Sequence, residues 1–387
     1  MKRSISALIV IIAVVGSIFG FRIIGEVSGQ EMIKETSNHT VREYIQSSRN
    51  TKVDKEATIL GVGDVLISDS IFHDAQSEDG FDFYPMFEHI APHIQQADFA
   101  IANQETMLGG ETVGLSGYPR FNSPKEVGDA LQKTGFDMLS IANNHTLDYG
   151  AEAVENTIHH LNAIDLPYVG AYESEEDKQT LRTTNVNGLT FSFLSYSYGT
   201  NGMQVPEGKE HLIALIDEER IEGEVAKAKE DSDVVVLNLH YGDEYTAYPN
   251  DFQTSITSIA AEAGADIIFG HHPHVLHPFE WLHTSDGRQV FVAYSLGNFI
   301  SGQEGVERRI GGMAQVTAKR VIAGPATFTI IDEPTFIPVY TDRTNWRDYA
   351  ILPESKMNEG ILPDWEAEFT EAKTHVSQWM DDLTTQD

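Results

Sequence analysis

Short apolar runs along this chain alternate with stretches in which apolar residues recur every three or four positions. The runs Ala57–Val62, Asp98–Ala102, Met138–Ala142, Tyr168–Gly170, Val234–Leu239 and Ile267–Phe269 read as buried strands. Between them, Val154, Ile158 and Leu161 form one helical face, and Ile221, Val225 and Ala228 form another. Strand–helix alternation predicts an α/β architecture. Leu189–Tyr196, Phe279–His283 and Val290–Tyr294 lack intervening helices, and the turn Ser285-Asp286-Gly287-Arg288 predicts a hairpin joining the last two. The expectation is therefore a mixed fold, two sheets with helices outside. Beyond Ser301 come strand-like stretches at Met313–Ile322 and Thr327–Tyr340. Trp365, Phe369, Ala372, Val376, Trp379 and Leu383 then predict a final helix whose stripe packs on the core.

The N-terminus has a different pattern. Met1-Lys2-Arg3 precedes an apolar run from Ile5 to Phe21, which ends at Arg22. Counted from Ser4, that run is just long enough for a spanning helix and longer than the usual core of a cleaved signal. It predicts an uncleaved membrane anchor; secretion after cleavage near Ser17–Gly20 is the alternative. Lys2 and Arg3 place the N-terminus in the cytoplasm and the rest of the chain outside, by the positive-inside rule. Residues 25–56 read as a polar juxtamembrane spacer with some helix around Val41–Ser47.

Charge and composition narrow the chemistry. The 26 Lys and Arg against 59 Asp and Glu leave a formal charge of −33. Nucleic-acid binding, which needs clustered cations to displace counterions, is excluded as a class. The chain has no cysteine, so disulfides, thiolate zinc sites, iron–sulfur clusters and Cys nucleophiles are excluded too. Any metal must rest on His, Asp, Glu or Asn. The acidity otherwise reads as a solvating surface, since net charge governs solubility and association rather than fold.

Polar residues of ligand type follow directly on the buried strands, and strand C-terminal ends are where α/β sheets build sites. Gly63-Asp64 follows the first, Asn103-Gln104-Glu105 the second and Asn143-Asn144-His145 the third. His240-Tyr241-Gly242-Asp243-Glu244 and Gly270-His271-His272-Pro273-His274 follow two later ones. Taken singly, Gly-Asp is more often a capped turn, and Asn103 with Glu105 a cap or surface pair. Three imidazoles in four positions after an apolar strand are harder to explain as packing, and together the five strand ends point to metal. His, carboxylate and amide ligands without sulfur suit Mn²⁺, Fe, Zn²⁺ or Co²⁺. Two such ions would need a bridging carboxylate and would activate water.

These residues also carry a family resemblance. The blocks Gly63-Asp64-Val65, Asn103-Gln104-Glu105-Thr106, Ile141 to Gly150, His240 to Tyr245, Gly270 to Val275 and Tyr294-Ser295-Leu296-Gly297-Asn298-Phe299 occur in order. Together they resemble the signature of the CapA-type poly-γ-glutamate capsule synthesis family, within the calcineurin-like metallophosphoesterase superfamily. The resemblance covers about residues 57–302 and implies a four-layer αββα sandwich. With the anchor, spacer and final helix read above, the chain divides into a signal-anchor helix (1–24), a spacer (25–56), a metallophosphoesterase-like domain (57–302) and C-terminal strands with an amphipathic helix packed on the core (303–387).

The resemblance implies roles residue by residue. Asp64, Glu105, Asn144, His240, His272 and His274 correspond to metal ligands, with Glu105 at the bridging position, and His145 corresponds to the catalytic imidazole. His271 is out of register with the closing pair. Asn103, Arg120, His271, Glu244 and Asn298 are candidates for substrate binding. The sequence departs from the superfamily pattern at Leu66, where a His is common, and at Glu105, where Asp is usual. One or two divalent transition ions are thus implied, with Mn, Fe or Zn as candidates. The implied function is a membrane-anchored extracellular component of poly-γ-glutamate capsule biosynthesis or export that hydrolyses a phosphoester or γ-glutamyl bond. The alternative is a non-catalytic subunit that binds polymer and keeps the site for metal or carboxylates. Implied partners are poly-γ-glutamate or another anionic polymer, further membrane proteins of a capsule synthesis complex, and the membrane through the N-terminal helix. An anionic polymer would be repelled by the overall charge, so metal ions and local cations such as Arg120, Lys125, Arg308 and Arg309, with Tyr118 nearby, would have to oppose that field.

Overall fold

The computed structural model describes residues 40–48 and 50–387. The expected anchor at 1–24 lies outside the described residues, and none of the described helices is long and apolar enough to cross a membrane. The first described helix, α1 (Val41–Ser47), opens with a capping box: Thr40 Oγ1 accepts the Glu43 N–H, and the Glu43 carboxylate accepts the Thr40 N–H.

In chain order the strands are β1 (Thr51–Leu66), β2 (Gln76–Ser77), β3 (Gly80–Phe81), β4 (Phe99–Gln104), β5 (Met138–Ser140), β6 (Tyr168–Val169), β7 (Arg182–Val186), β8 (Leu189–Ser197), β9 (Val234–His240), β10 (Ile267–His271), β11 (Phe279–His283), β12 (Gln289–Ala293), β13 (Asn298–Ser301), β14 (Ile310–Ala323), β15 (Ala326–Thr344), β16 (Arg347–Pro353) and β17 (Thr384–Thr385). A nine-stranded sheet runs β16-β15-β14-β1-β4-β5-β6, with β13 also on β1 and β17 on β15. A six-stranded sheet runs β11-β12-β10-β9-β8-β7. The β11–β12 hairpin closes between His283 and Gln289, as the Asp286-Gly287 turn predicts.

The two sheets pack face to face through residues that alternate along their strands. Ile59, Phe99, Ile101 and Met138 of the first meet Phe193, Val236, Phe269 and Phe291 of the second, and the Phe99 and Phe193 rings stack at 4.7 Å. Outside the first sheet lie α2 (Asp69–Asp74), α3 (Glu126–Thr134) and α4 (Gly150–Ala163), the last burying Val154, Ile158 and Leu161. Outside the second lie α5 (Glu218–Asp231) and α6 (Asp251–Ala263). Ile221, Val225 and Ala228, the predicted stripe of α5, are fully buried. The result is four layers, helix–sheet–sheet–helix. At roughly 25 cal/mol per Å² of apolar surface removed from water, this double interface is the main source of stability.

Several boundaries differ from the apolar pattern. β1 begins at Thr51, six residues before the apolar run, because its exposed first half pairs antiparallel with β14 from Thr51 opposite Ala323 onward. Backbone pairing alone carries the strand there, and hydropathy does not register it. The last helix, α7 (Trp365–Ser377), buries Phe369 and Val376 but stops before Trp379, which is 44% exposed. His375 of α7 ties this helix to the rest of the molecule, its Nε2 lying 2.9 Å from the Ala247 carbonyl and 3.1 Å from that of Leu276. Asn298 opens β13.

Candidate metal centre

The site is set by an irregularity in β1. Val62 pairs with Ala102 of β4, yet the next pair is Asp64 with Asn103, so Gly63 is an extra residue in the ladder. On the other edge, β1 exchanges β14 for β13 at the same point, with Asp64 opposite Asn298. Such a bulge re-aims a side chain. Here it turns Asp64 toward the C-terminal ends of β4, β9 and β10, where the remaining ligand-type residues arrive.

Asp64, Glu105, Asn144, His240, His272 and His274 come together, each at most 3% exposed. Two donor groups share a carboxylate. Asp64, Glu105 and His274 form one, Glu105, His240 and His272 the other, with the ligand atoms of each group within 4.8 Å of one another. Glu105 Oε1 lies 3.6 Å from His240 Nε2 and 3.8 Å from His274 Nε2. Asn144 Oδ1 approaches the same His240 Nε2 to 2.8 Å, adding an amide oxygen to the second group.

Around these atoms runs a supporting layer. Asn103 Nδ2 donates to Asp64 Oδ1 at 2.8 Å and lies 3.3 Å from His240 Nδ1. His274 Nδ1 is shared between Asp64 Oδ2 at 3.2 Å and Asn298 Oδ1 at 3.0 Å. The backbone of the His-rich loop is bent to make this possible, with positive φ at His272 (98°) and His274 (60°). Non-glycine residues in that region are held there at a cost of order 1–3 kcal/mol, usually at functional sites.

The residues fit a pair of cations. Both Glu105 oxygens are buried without a hydrogen-bond partner among the described residues, as are His272 Nδ1 and Asn103 Oδ1. Unsatisfied buried acceptors cost stability unless a cation meets them. Burial pushes the Glu105 carboxyl well above its usual range, reinforced by the charges of Asp64, Glu244 and Asp148 and opposed by His274. Burial resists charge on His274 too, but Glu105 and Asp64 outweigh it and hold the imidazole up at about 9. Burial also opposes ionisation of Asp64, yet hydrogen bonds from His271 and His274 pull it well below the usual range. His240 and His272 are held neutral chiefly by burial, His272 down to about 3. Neutral imidazoles and an ionised carboxylate are the forms that ligate metal; His240, His272 and Asp64 are held in them, and a bound cation would displace the proton from His274 and from Glu105.

His145 stands beside the cluster. Its Nδ1 lies 2.7 Å from Asp148 Oδ2, its ring meets Phe121 edge-on at 4.7 Å, and Asn201 Nδ2 lies 3.3 Å from the same ring nitrogen. Asn201 Oδ1 also accepts from Asn144 Nδ2 at 3.3 Å. A cleft of about 480 Å³ opens next to it, lined by Leu66, Tyr118, Phe121, Tyr245, Gln303 and Trp346 among others.

The five candidates for substrate contact divide. Asn103 and Asn298 brace ligands as described. His271 sits 3.5 Å from Asp64 Oδ1 and 3.3 Å from Asn238 Oδ1, outside both donor groups. Glu244 is exposed but reaches His272 and His274. Arg120 is exposed, donates to the Asp148 carbonyl and stacks 5.2 Å over Tyr149. Of the other cations, Arg308 lies 4.3 Å over Tyr245, Arg309 donates to the Thr341 carbonyl at 2.9 Å, and Lys125 borders a different cavity with Glu111 and His160. Sequence reasoning assigned no role to Asp148, Asn201, Asn238 or Tyr198, whose ring lies 4.7 Å from that of His272. Asp148 could have been found from its position one helical turn after His145; the others carry no local signal.

A family profile described as bacterial capsule synthesis protein PGA_cap matches residues 58–303, which hold every member of both donor groups. The chain belongs to this capsule synthesis family. The PGA_cap assignment agrees with two relatives named for capsule work. The capsule biosynthesis protein CapA of Bacillus anthracis is 30% identical over 64% of this chain and 61% of its own length. The PGA biosynthesis protein CapA of Bacillus subtilis is 30% identical over 66% of this chain and 68% of its own. The matched part thus spans less than two thirds of the anthracis protein. Among solved structures, a 5'-nucleotidase precursor from Thermus thermophilus superposes with a TM-score of 0.43 at 12% identity, over 84% of this chain and 58% of that one. The observed layering, with the donor groups at its strand ends, is the four-layer αββα arrangement that the sequence resemblance implied.

Proposed function

We propose that this protein is a membrane-anchored hydrolase of poly-γ-glutamate capsule synthesis, with its main body outside the cell, cutting a phosphoester or γ-glutamyl bond at a two-ion centre. The observation that carries the proposal is Glu105, buried, without hydrogen-bond partners among the described residues, and common to both donor groups. A carboxylate so placed is what two neighbouring cations need between them. Asp64, Glu105 and His274 would hold one ion; Glu105, Asn144, His240 and His272 would hold the other. Divalent ions of this kind, when bound, activate water and neutralise charge on a tetrahedral phosphoryl or carbonyl group.

The chain's own residues supply the rest. Asp148 accepts the His145 Nδ1–H, which fixes the tautomer and leaves Nε2 as the nitrogen able to pass a proton to a departing oxygen or nitrogen. Tyr118, Tyr245 and Trp346 give the neighbouring cleft flat walls against which an extended chain can lie. The capsule polymer enters this proposal as substrate because the two relatives above are named for capsule biosynthesis and for PGA biosynthesis.

The test is elemental analysis of the purified full chain after growth with Mn²⁺, Zn²⁺ and Fe, followed by assays on an activated phosphodiester and on a γ-glutamyl polymer. One to two equivalents of metal with turnover of either substrate is expected. Less than about a tenth of an equivalent of metal, the level of adventitious carry-over, sinks the proposal. A His145→Ala chain that keeps its metal but loses capsule output supports catalysis. Unchanged output from that folded variant assigns the site to polymer binding instead.

A further inference from the structure

The donor group of Asp64, Glu105 and His274 offers only three protein ligands, whereas ions of the Mn, Fe and Zn type take four to six. The second group reaches four through Asn144. The residues that follow Asp64 cannot help the first, since Val65, Leu66 and Ile67 are apolar and Ser68 is turned to Ser70.

On the solvent side the picture differs. A third cluster joins a Glu244 oxygen to ring nitrogens of His272 and His274, again all within 4.8 Å, and these imidazoles belong one to each of the other groups. Glu244 therefore lies against one imidazole from each donor group. The loop that carries it is fastened to the His-rich loop, the Tyr245 N–H donating to the Pro273 carbonyl at 2.8 Å, and it leaves β9 through Gly242 at φ 110°. A Cβ at position 242 would meet the Gln253 amide at 2.5 Å, so the path is confined to glycine. The Tyr245 phenol is pushed up to about 12 by burial and then by the neighbouring Glu244 carboxylate.

We infer that Glu244 is a metal ligand, completing the first ion's shell from the exposed side of the site. The inference rests on the two-ion reading above and adds a seventh residue to it. An exposed carboxylate on a loop would be the exchangeable member of such a set, able to give way to an incoming anionic oxygen.

Calorimetric titration of the metal-stripped full chain with Mn²⁺, together with electron paramagnetic resonance of the loaded protein, tests it. The wild type is expected to take two Mn²⁺. Glu244→Ala and Glu244→Gln should each weaken one of the two by on the order of tenfold or more, with the other ion retained and the melting curve of the metal-free chain unchanged. Two affinities within twofold of wild type, or loss of both ions, overturns the assignment. A wild-type chain that takes no Mn²⁺ sinks the two-ion reading itself, so the two failures are distinguishable.

Discussion

His145 and Asp148 are joined side chain to side chain, Nδ1 to Oδ2 at 2.7 Å, and that same carboxylate oxygen also accepts the Phe121 backbone N–H at 2.7 Å. The carboxylate is thus fixed from two directions and fixes the imidazole in turn. Asp148 is a positioning residue, acting through His145.

Asp148→Asn should leave metal content unchanged and lower turnover on the order of 10²-fold, the usual scale for loss of a well-set general acid. The loss should shrink for a substrate whose leaving group needs no proton, because the missing service is protonation by a well-set His145. A purely structural role would lower stability or metal content and slow both substrates alike.

Glu105→Ala should abolish both ions, whereas Asp64→Ala and His240→Ala should each weaken chiefly one. The asymmetry follows from the sharing of Glu105 between two donor groups that otherwise have no common residue. Stoichiometry by elemental analysis checks it, and a Glu105→Ala chain that still holds one full equivalent contradicts the bridging geometry.

Gly63 passes so close to the chain before β13 that a Cβ there would lie 2.2 Å from the Gly297 carbonyl oxygen. That same oxygen accepts the Asp64 N–H at 2.9 Å. Gly63→Ala should cost about 1–3 kcal/mol, as overpacking does, and should weaken metal binding by displacing Asp64. Chemical denaturation and Mn²⁺ titration measure the two effects, and an unchanged protein would disprove the close approach.

His277 lies outside the donor groups and is lowered from 6.5 to about 4 by burial, despite a bond from its Nε2 to the Thr246 carbonyl at 2.8 Å. Its folded form stays neutral where the unfolded form takes up a proton. Between about pH 4 and 6.5 the unfolded chain therefore binds more protons at this site, and stability falls as pH falls. The contribution approaches about 1.4 kcal/mol per pH unit within that window. Metal-free wild type and His277→Gln, compared by urea denaturation at pH 7 and pH 5, should differ in slope, the variant losing less. Equal losses would show that the ring is protonated in the fold.

Much of the fold was legible because its signals are local. Val154, Ile158 and Leu161 announce α4 by their spacing, and Val234–Leu239 announces β9 by its unbroken run, since both patterns reflect which side of an element meets the core. The first half of β1 was not legible, because Thr51 to Glu56 is polar and its strand state depends on β14, more than 250 residues away. Trp379 kept the helical spacing yet fell beyond the end of α7. Spacing reports a possible face and cannot tell whether the chain still follows it.

For the site, the sequence by itself determined the chemistry: no cysteine, and imidazole, carboxylate and amide at five strand ends, with Asp64, Glu105, Asn144, His240, His272 and His274 as ligand types. It also determined the family, because ordered motifs survive where overall identity does not. Only the tertiary structure decided how those groups divide around Glu105, that Asp148 holds His145, that Asn201 meets Asn144 and Asn298 meets His274, and that Glu244 reaches His272 and His274 while Arg120 turns to Tyr149. The reason is physical. Residue type fixes which atoms can bind a cation, but binding depends on distances of a few ångströms, and these are set by the Gly63 bulge and by the register of strands that lie far apart in the chain.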